Sequence, residues 1–332
     1  MKVAVAGLGW WGKQIISCLA GSPRFEVLYG IDPKPPADID AFRKSHKFAL
    51  ETSLDKALAD PAVEGVILAT PHALHEAQAL AVIAAGKNLF CEKPLTMTGD
   101  GARRVVEACR KAGRVLGVGH ERRWEPAFEE LQRLVDSGAL GRLLLFEANV
   151  SHDQFRKLAA DNWRLSPDSA PAGMMTAVGI HLTDLMVHFA GPAAEVRSNT
   201  ASMIFAPPAE DFVTASIRFA SGVRGTFTSL SITPFYGRFT CYGDKGWVEI
   251  LSEANVDRGK PTFLTHVDAS GQRRQEVYES TDTVSQNFEA WADAVEGRAP
   301  YRFTERELIE NIRLFEAIVT SSRKGGEPQM LA

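Results

Sequence analysis

The sequence predicts an α/β protein. Its N-terminal part is expected to be a doubly wound parallel sheet, and its C-terminal part an α+β domain on an open, mostly antiparallel sheet. Three observations predict this. Strand-like and helix-like runs alternate up to about residue 118. A glycine-rich turn joins the first strand-like run to the first helix-like run. From Glu195 to Ile250, apolar and polar residues alternate, as in antiparallel strands.

The chain length and a change of pattern indicate two domains. A chain of 332 residues is long enough for about two domains of ordinary size. Regular alternation of strands and helices ends after Gly119. We therefore expect a first domain over residues 1–121 and a second domain over residues 122–332.

The composition excludes several classes of protein. A net charge of −4 argues against a nucleic-acid-binding protein, which needs a basic face. No apolar run approaches the roughly 20 residues of a membrane span, and the first residues are strand-like rather than a signal peptide. The cysteines are scattered, without metal-type spacing. We expect a cytoplasmic protein with neither nucleic-acid nor membrane partners.

The first strand leads into a glycine motif that predicts dinucleotide binding. Val3–Ala6 is strand-like, Gly7-Leu8-Gly9-Trp10-Trp11-Gly12 follows, and Lys13–Ala20 is helix-like. In such a turn, glycines let the backbone approach a pyrophosphate, and the helix N-terminus supplies amide donors. The motif alone is weak evidence, because structural glycine turns are common. Its position between a strand and a helix favours a cofactor site formed by Gly7, Leu8, Gly9, Trp10, Trp11 and Gly12.

The second strand ends in a carboxylate that fits the same interpretation. Phe25–Ile31 is strand-like, and Asp32 stands twenty positions after Gly12. At this spacing a carboxylate binds the adenosine ribose hydroxyls in dinucleotide folds. A carboxylate repels a 2′-phosphate, so NAD is favoured over NADP. Lys34 is close enough to leave NADP open.

The next elements continue the parallel sheet. Residues 38–60 are predicted to be helical, Val63–Ala69 a buried strand and Ala73–Ala85 a helix. The loop after the strand supplies further candidate cofactor contacts from Thr70, Pro71, His72 and His75. His75 is explained equally well as a helix histidine whose ring is satisfied by the protein.

The strand-like run Asn88–Cys91 is followed by the main candidate catalytic residue, Lys93. It runs directly into Glu92-Lys93-Pro94. Ligands of open α/β sheets bind beyond the carboxyl ends of the strands, where Glu92 and Lys93 would lie. Pro94 also moves Lys93 away from helical geometry. The alternative is an ordinary surface lysine. Helix 100–112 and strand 115–118 complete the first domain.

The second domain is expected to begin with a helix that ends near Ser137, followed by a strand over Leu143–Val150. Residues 151–172 are predicted to be a polar loop, and Ala177–Phe189 a helix. Further segments are predicted as strands at 212–219, 225–231 and 238–242, and as helices at 289–295 and 305–322.

Several of these motifs together resemble the Gfo/Idh/MocA oxidoreductases. The resemblance rests on residues 7–12, Ala69-Thr70-Pro71 with His75, Ala85-Gly86-Lys87, Cys91-Glu92-Lys93-Pro94, Trp163-Arg164, and Gly179-Ile180-His181 with Asp184. It implies an N-terminal Rossmann domain and a C-terminal domain with an open sheet that is commonly used for oligomer contacts. A homo-oligomer, dimer or tetramer, is therefore expected.

The resemblance also implies the chemistry, which is hydride transfer between a nicotinamide and a hydroxyl-bearing carbon of a sugar or cyclic polyol. Lys93 would hydrogen-bond the reacting oxygen, and His181 would act as an acid/base or orienting group. A cationic nicotinamide would disfavour the charged form of Lys93. The family often has an aspartate one helical turn before this histidine, where this chain has Ala177. Asp184, one turn after His181, is an alternative orienting group.

The remaining candidates would contact the substrate. They are Arg122, His152, Asp161, Trp163, Arg164, Asp184 and Tyr236. The spacing of His181, Asp184 and His188 would also suit a metal, but no further ligand cluster is evident, so none is predicted.

The sequence therefore favours an NAD-dependent dehydrogenase that acts on CH–OH groups. Two alternatives remain on the same scaffold. One is an NAD-dependent glycosidase that uses transient oxidation, and the other is a catalytically silent nucleotide or sugar sensor. Ala177 favours the sensor, whereas Lys93 and His181 favour an enzyme.

Overall fold

The computed structural model describes residues 1–159 and 162–331. The chain divides into two compact units. The first comprises Met1–Glu121 and Val284–Ile309, and the second comprises Arg122–Thr283 and Glu310–Ala332. The predicted second domain, residues 122–332, therefore differs from the second unit, because residues 284–309 belong to the first unit.

The first unit is a six-stranded parallel sheet with helices, in the spatial order β3-β2-β1-β4-β5-β6. This is the doubly wound arrangement, in which the strand order reverses between β1 and β4. Its strands are β1 (Lys2–Ala6), β2 (Glu26–Ile31), β3 (Ala49–Glu51), β4 (Gly65–Leu68), β5 (Asn88–Cys91) and β6 (Leu116–Val118). Its helices include α1 (Trp10–Ala20), α2 (Ile39–His46), α3 (Asp55–Ala59), α4 (His75–Ala84) and α5 (Gly99–Ala112).

Residues 284–309 join the first unit because they complete its core. They include most of helix α8 (Thr283–Val295), whose fully buried Trp291 packs with Phe90 of β5. Gly65 and Gly117 leave room for the indole. A Cβ on Gly65 would lie 2.8 Å from Trp291, and a Cβ on Gly117 would lie 2.9 Å from it. Larger residues at these positions would collide with a rigid ring.

The predicted helix over residues 38–60 is wrong in its middle. The structure has two short helices, α2 and α3, separated by the edge strand β3. Lys47 ends α2 in the left-handed conformation, at φ 57°, so the helix does not continue. Strand β3 then pairs with β2 from Tyr29 to Ile31. The other strands and helices up to residue 118 lie where the sequence predicted them, within a few residues at their ends, whereas α8 begins six residues before the predicted helix over 289–295.

The second unit is built on a nine-stranded sheet, in the order β14-β13-β12-β11-β7-β10-β9-β8-β15. Neighbouring strands are antiparallel except β7 and β10, which are parallel. The strands are β7 (Leu143–Ser151), β8 (Ala193–Ala201), β9 (Phe212–Phe219), β10 (Arg224–Leu230), β11 (Tyr236–Gly243), β12 (Gly246–Ser252), β13 (Thr262–Asp268), β14 (Arg273–Tyr278) and β15 (Gln329–Met330). The helices are α6 (Pro126–Asp136) and α7 (Ile180–Ala190), and α9 (Glu305–Arg323) has residues in both units.

One face of this second sheet forms the core of its unit. Phe146, Phe227 and Phe239 alternate inward from adjacent strands and are almost fully buried. Helix α7 approaches this face at Gly179, where a Cβ would lie 2.5 Å from the Phe227 ring. The residues just before α7, Met175–Gly179, form a π-helical turn. The two-part α/β and α+β fold predicted from the sequence is thus confirmed.

Candidate functional site

The glycine turn after β1 is shaped by close backbone contacts. Gly7 has φ +92°, and a Cβ there would lie 2.4 Å from the Ala69 carbonyl oxygen at the end of β4. A Cβ on Gly12 would lie 1.8 Å from the Gly7 carbonyl oxygen. Gly7 and Gly12 therefore let the turn, β4 and helix α1 approach one another. At Gly9, by contrast, a Cβ would meet no heavy atom within 4 Å.

The N-terminus of α1 opens onto the space beside Gly9. Gly9 is the N-cap residue, and as a glycine it has no side chain that could accept a hydrogen bond from the first-turn amides. These amides and the helix dipole suit an anionic group. Trp10, the first helical residue, is 58% exposed beside Trp11, and their ring centroids are 5.4 Å apart. The open cradle over Gly9 fits a dinucleotide pyrophosphate.

Asp32 lies at the end of β2, next to this turn. Its Oδ2 accepts a hydrogen bond from the Leu8 amide over 2.9 Å, and its Oδ1 accepts one from the Lys34 amide over 2.9 Å. The carboxylate is only partly buried, and each oxygen keeps acceptor capacity. Asp32 is thus held by backbone in an orientation that leaves it able to bind ribose hydroxyls. The Lys34 side chain is exposed.

The loop after β4 carries Thr70 and Pro71 at the rim of the sheet. Thr70 Oγ1 donates to Gln78 Oε1 of α4 over 2.6 Å, and Pro71 is exposed. His72 lies in the 3₁₀ turn that follows, and its ring centroid is 5.7 Å from that of His75.

His75 does not fit the prediction of a direct cofactor contact. Its side chain is 0% exposed. Nδ1 lies 2.7 Å from the Pro94 carbonyl oxygen, and Nε2 lies 2.9 Å from the Thr70 carbonyl oxygen. Burial lowers the pKa of the imidazole, although both carbonyl contacts oppose that shift. Of the two interpretations left open, the structure therefore favours the satisfied histidine.

Glu92 and Lys93 follow β5 at the same edge of the sheet. Lys93 is partly exposed, and its peptide bond to Pro94 is cis. Glu92 is buried, and its Oε2 accepts the Lys93 amide over 3.3 Å. Its carboxyl lies against Gly119, where a Cβ would come within 2.4 Å of Oε2. Burial raises the pKa of Glu92, although the charge of Lys93 and the nearby Trp11 indole oppose the shift.

In the second unit, His181 lies buried in the first turn of α7. Ala177 falls inside the π-helical turn, so an α-helical count back from His181 does not describe this segment. Thr176 precedes Ala177, and its hydroxyl donates to the carbonyls of Pro171 and Gly173. The residues before His181 thus supply no carboxylate in that turn.

Asp184, the predicted orienting partner of His181, binds the Arg123 guanidinium. Both of its oxygens accept hydrogen bonds from the Arg123 guanidinium, over 2.7 and 2.8 Å, and both side chains are almost fully buried. Arg123 Nη1 also lies 3.1 Å from His188 Nδ1, and His188 Nε2 lies 2.5 Å from Gln132 Oε1. This network joins α6 to α7. Among the residues that the structure describes, no group of three or more His, Cys, Asp or Glu side chains is arranged to hold a metal ion.

Arg122, a predicted substrate contact, binds two side chains of the protein. Its side chain is buried, and it donates to Glu125 Oε1 over 2.8 Å and to Asn255 Oδ1 over 3.0 Å. Burial raises the pKa of Glu125, and the charge of Arg122 opposes that shift. Charged residues at a helix start are usually solvated, so sequence gave no signal for this burial.

The other substrate candidates are spread over the loop after β7 and the start of β11. His152 is buried and its Nδ1 accepts the Gln154 amide over 3.3 Å. The Arg164 guanidinium lies 4.4 Å from the centre of the Trp163 ring, and burial lowers the pKa of Arg164. Tyr236 is 47% exposed at the first position of β11. Asp161 lies outside the described residues.

Two family models match this chain. Residues 1–120 match a model described as "Oxidoreductase family, NAD-binding Rossmann fold". Residues 128–249 match the GFO/IDH/MocA C-terminal domain. The chain belongs to the Gfo/Idh/MocA oxidoreductase family. The resemblance inferred from the motifs is thereby confirmed, as are the predictions of an oxidoreductase and of a nicotinamide dinucleotide cofactor.

The chain is similar to proteins that are named as a sugar reductase and an inositol dehydrogenase. The chain is 29% identical over 277 residues to 1,5-anhydro-D-fructose reductase from Ensifer adhaerens, covering 82% of each chain. It is 25% identical over 290 residues to scyllo-inositol 2-dehydrogenase (NADP(+)) from Bacillus subtilis, covering 82% of this chain and 80% of that one.

Solved structures share the Gfo/Idh/MocA fold over the whole chain. Levoglucosan dehydrogenase in complex with NADH superposes with a TM-score of 0.86 at 21% identity, covering 100% of this chain and 99% of that one. Aldose-aldose oxidoreductase from Caulobacter crescentus superposes with a TM-score of 0.85 at 21% identity, with the same coverage. Among the described residues, no helix has the length and apolar character needed to cross a membrane.

Sequence reasoning missed several residues that shape this Gfo/Idh/MocA site. The absence of a side chain at Gly119 leaves space for the Glu92 carboxyl. Gln78 accepts a hydrogen bond from Thr70, and Arg123 donates to Asp184. Gly119 directly follows β6, and a position just after the carboxyl end of a parallel strand was the sequence signal that could have indicated it. Gln78 and Arg123 contact residues distant in sequence or on another element, and no local pattern indicates such partners.

Proposed function

We propose that this Gfo/Idh/MocA oxidoreductase is an NAD-dependent dehydrogenase of a sugar, cyclic polyol or related alcohol. The relatives support this substrate class, because their names describe an anhydro-sugar reductase and an inositol dehydrogenase. The nicotinamide cofactor, when bound, accepts or donates the hydride. The substrate presents a carbon that bears a hydroxyl group or, in the reverse direction, a carbonyl group.

The observation that carries the proposal is the placement of Lys93 relative to Asp32 in one sheet. Asp32 follows β2 and Lys93 follows β5, on opposite sides of the β1/β4 reversal. Dinucleotides bind across this reversal point, beyond the carboxyl ends of the strands. With the adenosine ribose at Asp32, the nicotinamide half extends toward the β4 and β5 ends. Lys93 is then the cationic side chain beside the reacting carbon.

Lys93 is proposed to hydrogen-bond the reacting oxygen and to accept its proton during oxidation. The buried Glu92 next to it contributes a carboxyl group in a water-poor environment. His181 is proposed as a second acid/base group or as an orienting group, because imidazole titrates near neutral pH. Asp184 is proposed to anchor α7 to Arg123 rather than to take part in the proton route, since both of its oxygens bind the guanidinium.

NAD is the proposed cofactor, with NADP a weaker ligand. The two backbone amides on Asp32 hold its carboxylate at the expected ribose position. A fixed negative charge there disfavours a 2′-phosphate. One curated relative is named as an NADP(+) enzyme, so the preference is a property to be measured on this chain.

Ala177 supports a second candidate, a silent nucleotide or sugar sensor. The π-helical turn offers no carboxylate near Ala177, and Thr176 is engaged with backbone carbonyls. A sensor would bind cofactor without turnover. An NAD-dependent glycosidase on this scaffold would release sugar without net formation of NADH.

The experiment is to follow NADH formation from NAD over a panel of cyclic polyols, aldoses, anhydro-sugars and sugar acids. NADH binding is first confirmed by fluorescence titration. Turnover on any member supports the dehydrogenase. Binding without turnover favours the sensor, and release of sugar from a glycoside panel without NADH favours the glycosidase. Lack of NADH and NADPH binding contradicts all three.

We further propose that the protein is cytoplasmic and forms a homo-oligomer through the second sheet. The face opposite to Phe146 carries Leu145, Tyr242 and Trp247 side by side in register on β7, β11 and β12, and all three are partly exposed. Such an apolar row on an open sheet suits a second copy of the same chain. Light scattering of the wild type and of Trp247→Lys tests this, with a shift to monomer expected for the variant.

A further inference from the structure

His75 spans two neighbouring strand-end loops of the first unit. Its Nδ1 lies 2.7 Å from the carbonyl oxygen of Pro94, which follows β5. Its Nε2 lies 2.9 Å from the carbonyl oxygen of Thr70, which follows β4. Strands β4 and β5 are adjacent in the sheet, from Gly65 paired with Asn88 to Leu68 paired with Cys91. One side chain therefore contacts both loops at the edge where ligands of such sheets bind.

Each contacted carbonyl adjoins a residue of the proposed cofactor or catalytic site. Pro94 directly follows Lys93, and its ring fixes its own φ. The Pro94 carbonyl is thus a short, stiff connection from the Lys93 backbone. Thr70 precedes Pro71 and follows Ala69, the residue against which Gly7 packs. The two contacts of His75 with these carbonyls therefore help to fix the position of Lys93 relative to the glycine turn.

Complete burial gives these contacts their weight. His75 and Pro94 are both buried, so loss of their contact removes a partner of the Pro94 carbonyl away from bulk water. A neutral imidazole carries one N–H, and it donates to one of the two carbonyls at a time. No contact with a ligand is open to this side chain, since it is buried and both ring nitrogens face protein oxygens.

The geometry points to His75 as a positioning residue that holds Lys93 in its reactive place through the Pro94 carbonyl. This inference rests on the proposed catalytic role of Lys93. It assigns to His75 an effect on kcat rather than on cofactor affinity, because the ring reaches the loop backbone and no ligand.

The test compares His75→Phe, which keeps an aromatic ring without donors, with His75→Gln, which keeps an amide donor. The matched control is His46→Phe, which removes another histidine of the first unit from its contacts with Ser17 and Phe42. Steady-state kinetics gives kcat and the KM for NAD and substrate. Hydrogen–deuterium exchange of peptides over residues 92–98 gives a readout that needs no activity.

For His75→Phe we expect kcat to fall about 10- to 100-fold, because small displacements of a catalytic group are that costly. Both KM values should stay within about threefold, since ground-state binding is not the interaction removed. Exchange over residues 92–98 should rise without a matching rise elsewhere. His75→Gln should recover part of kcat, and His46→Phe should match the wild type in both measurements.

A His75→Phe kcat within twofold of wild type overturns the inference, as does unchanged exchange over residues 92–98. The inference is also overturned if the loss of activity in His75→Phe equals the fraction of that variant that is unfolded. If His75→Phe does not fold, the same comparison is made with His75→Leu, which also lacks a donor, and a wild-type kcat there contradicts the inference. Failure of the proposed function is distinguishable, because it appears as turnover that survives Lys93→Met whatever the His75 variants do.

Discussion

The backbone amide of Leu8 donates a hydrogen bond to Oδ2 of Asp32 over 2.9 Å. This contact joins the glycine turn after β1 to the end of β2. The second carboxylate oxygen accepts the amide of Lys34. Because the backbone fixes both oxygens, the negative charge of Asp32 has a defined position beside the turn. That position is the basis for the proposed preference for NAD.

Removing the Asp32 charge should weaken the preference for NAD. Asp32→Asn keeps the size of the side chain and one acceptor oxygen, but it no longer repels a 2′-phosphate. A charge interaction of one to two kcal/mol corresponds to about a tenfold change in affinity ratio, so we expect at least that change in the NADH to NADPH ratio of Kd. Fluorescence titration with both cofactors measures it. Asp38→Asn, on the same loop but paired with Lys13, is the control. An unchanged ratio in Asp32→Asn contradicts the assignment.

Gly9→Ala and Gly12→Ala should change two different properties, the affinity for NADH and the stability of the fold. A Cβ on Gly12 would collide with the Gly7 carbonyl, so Gly12→Ala should destabilise the fold by about 1–3 kcal/mol. A Cβ on Gly9 meets no protein atom, and its φ of −64° suits alanine, so Gly9→Ala should leave the free energy of unfolding nearly unchanged. It should nevertheless weaken NADH binding, because the new methyl group projects into open space beside the turn. Urea denaturation and NADH titration of both variants separate the two effects. Equal NADH affinity in Gly9→Ala and wild type would place the pyrophosphate elsewhere.

The order of strands and helices in the first unit could be predicted because each element carries its own signal. β1, the glycine turn and Asp32 follow one another at the spacing of dinucleotide folds, and the structure brings them together. Strand β3 was missed because its three residues are flanked by polar helical segments and depend on pairing with β2. Trp291 was not assigned to the first core, because its cavity is made by Gly65 and Gly117, far away in sequence.

Buried charges were the main source of error at the candidate site. Arg122, Arg123 and Asp184 are charged residues near predicted helices, and such residues are usually solvated. The structure buries all three and pairs them within the protein. Burial of a charge depends on its tertiary partner, and sequence spacing does not reveal that partner. The same reason applies to His75, whose two carbonyl partners lie in loops brought together by the sheet.

Breaking the Arg123–Asp184 pair should be costly. Arg123→Met leaves the Asp184 carboxylate buried without its bidentate partner, and such losses cost about 3–5 kcal/mol of stability. The double variant Arg123→Met with Asp184→Leu removes both charges and should be less destabilised than Arg123→Met alone. Urea denaturation of the single and double variants measures the coupling. A single variant that loses less than about 1 kcal/mol would contradict the account of this network.

Asp211 should stabilise the second unit in a pH-dependent way. Burial would raise the pKa of its carboxyl, but hydrogen bonds from the amides of Met203, Phe205 and Ile204 together outweigh burial, and the net pKa is lowered. A lowered folded-state pKa contributes stability above the unfolded value of about 3.9. That contribution is lost as the pH falls through the folded-state pKa.

Asp211→Asn should therefore be less stable than wild type by about 1–3 kcal/mol at neutral pH, because the three amides lose a charged acceptor and the new NH₂ group cannot accept from them. The difference should shrink as the pH is lowered below about 4, where Asp211 of the unfolded wild-type chain begins to take up a proton and the folded chain does so only at lower pH. Thermal or urea denaturation of both proteins across this pH range measures the trend. A difference that grows toward acid pH would contradict the assigned sign.

The most direct test of the central claim is turnover by Lys93→Met, measured with a substrate found in the panel. Lys111→Met, which removes an exposed lysine of α5, is the control. The proposed role of Lys93 predicts that kcat falls about 10²- to 10⁴-fold, while the Kd for NADH stays within about threefold of wild type. Full activity of Lys93→Met would contradict the proposed mechanism.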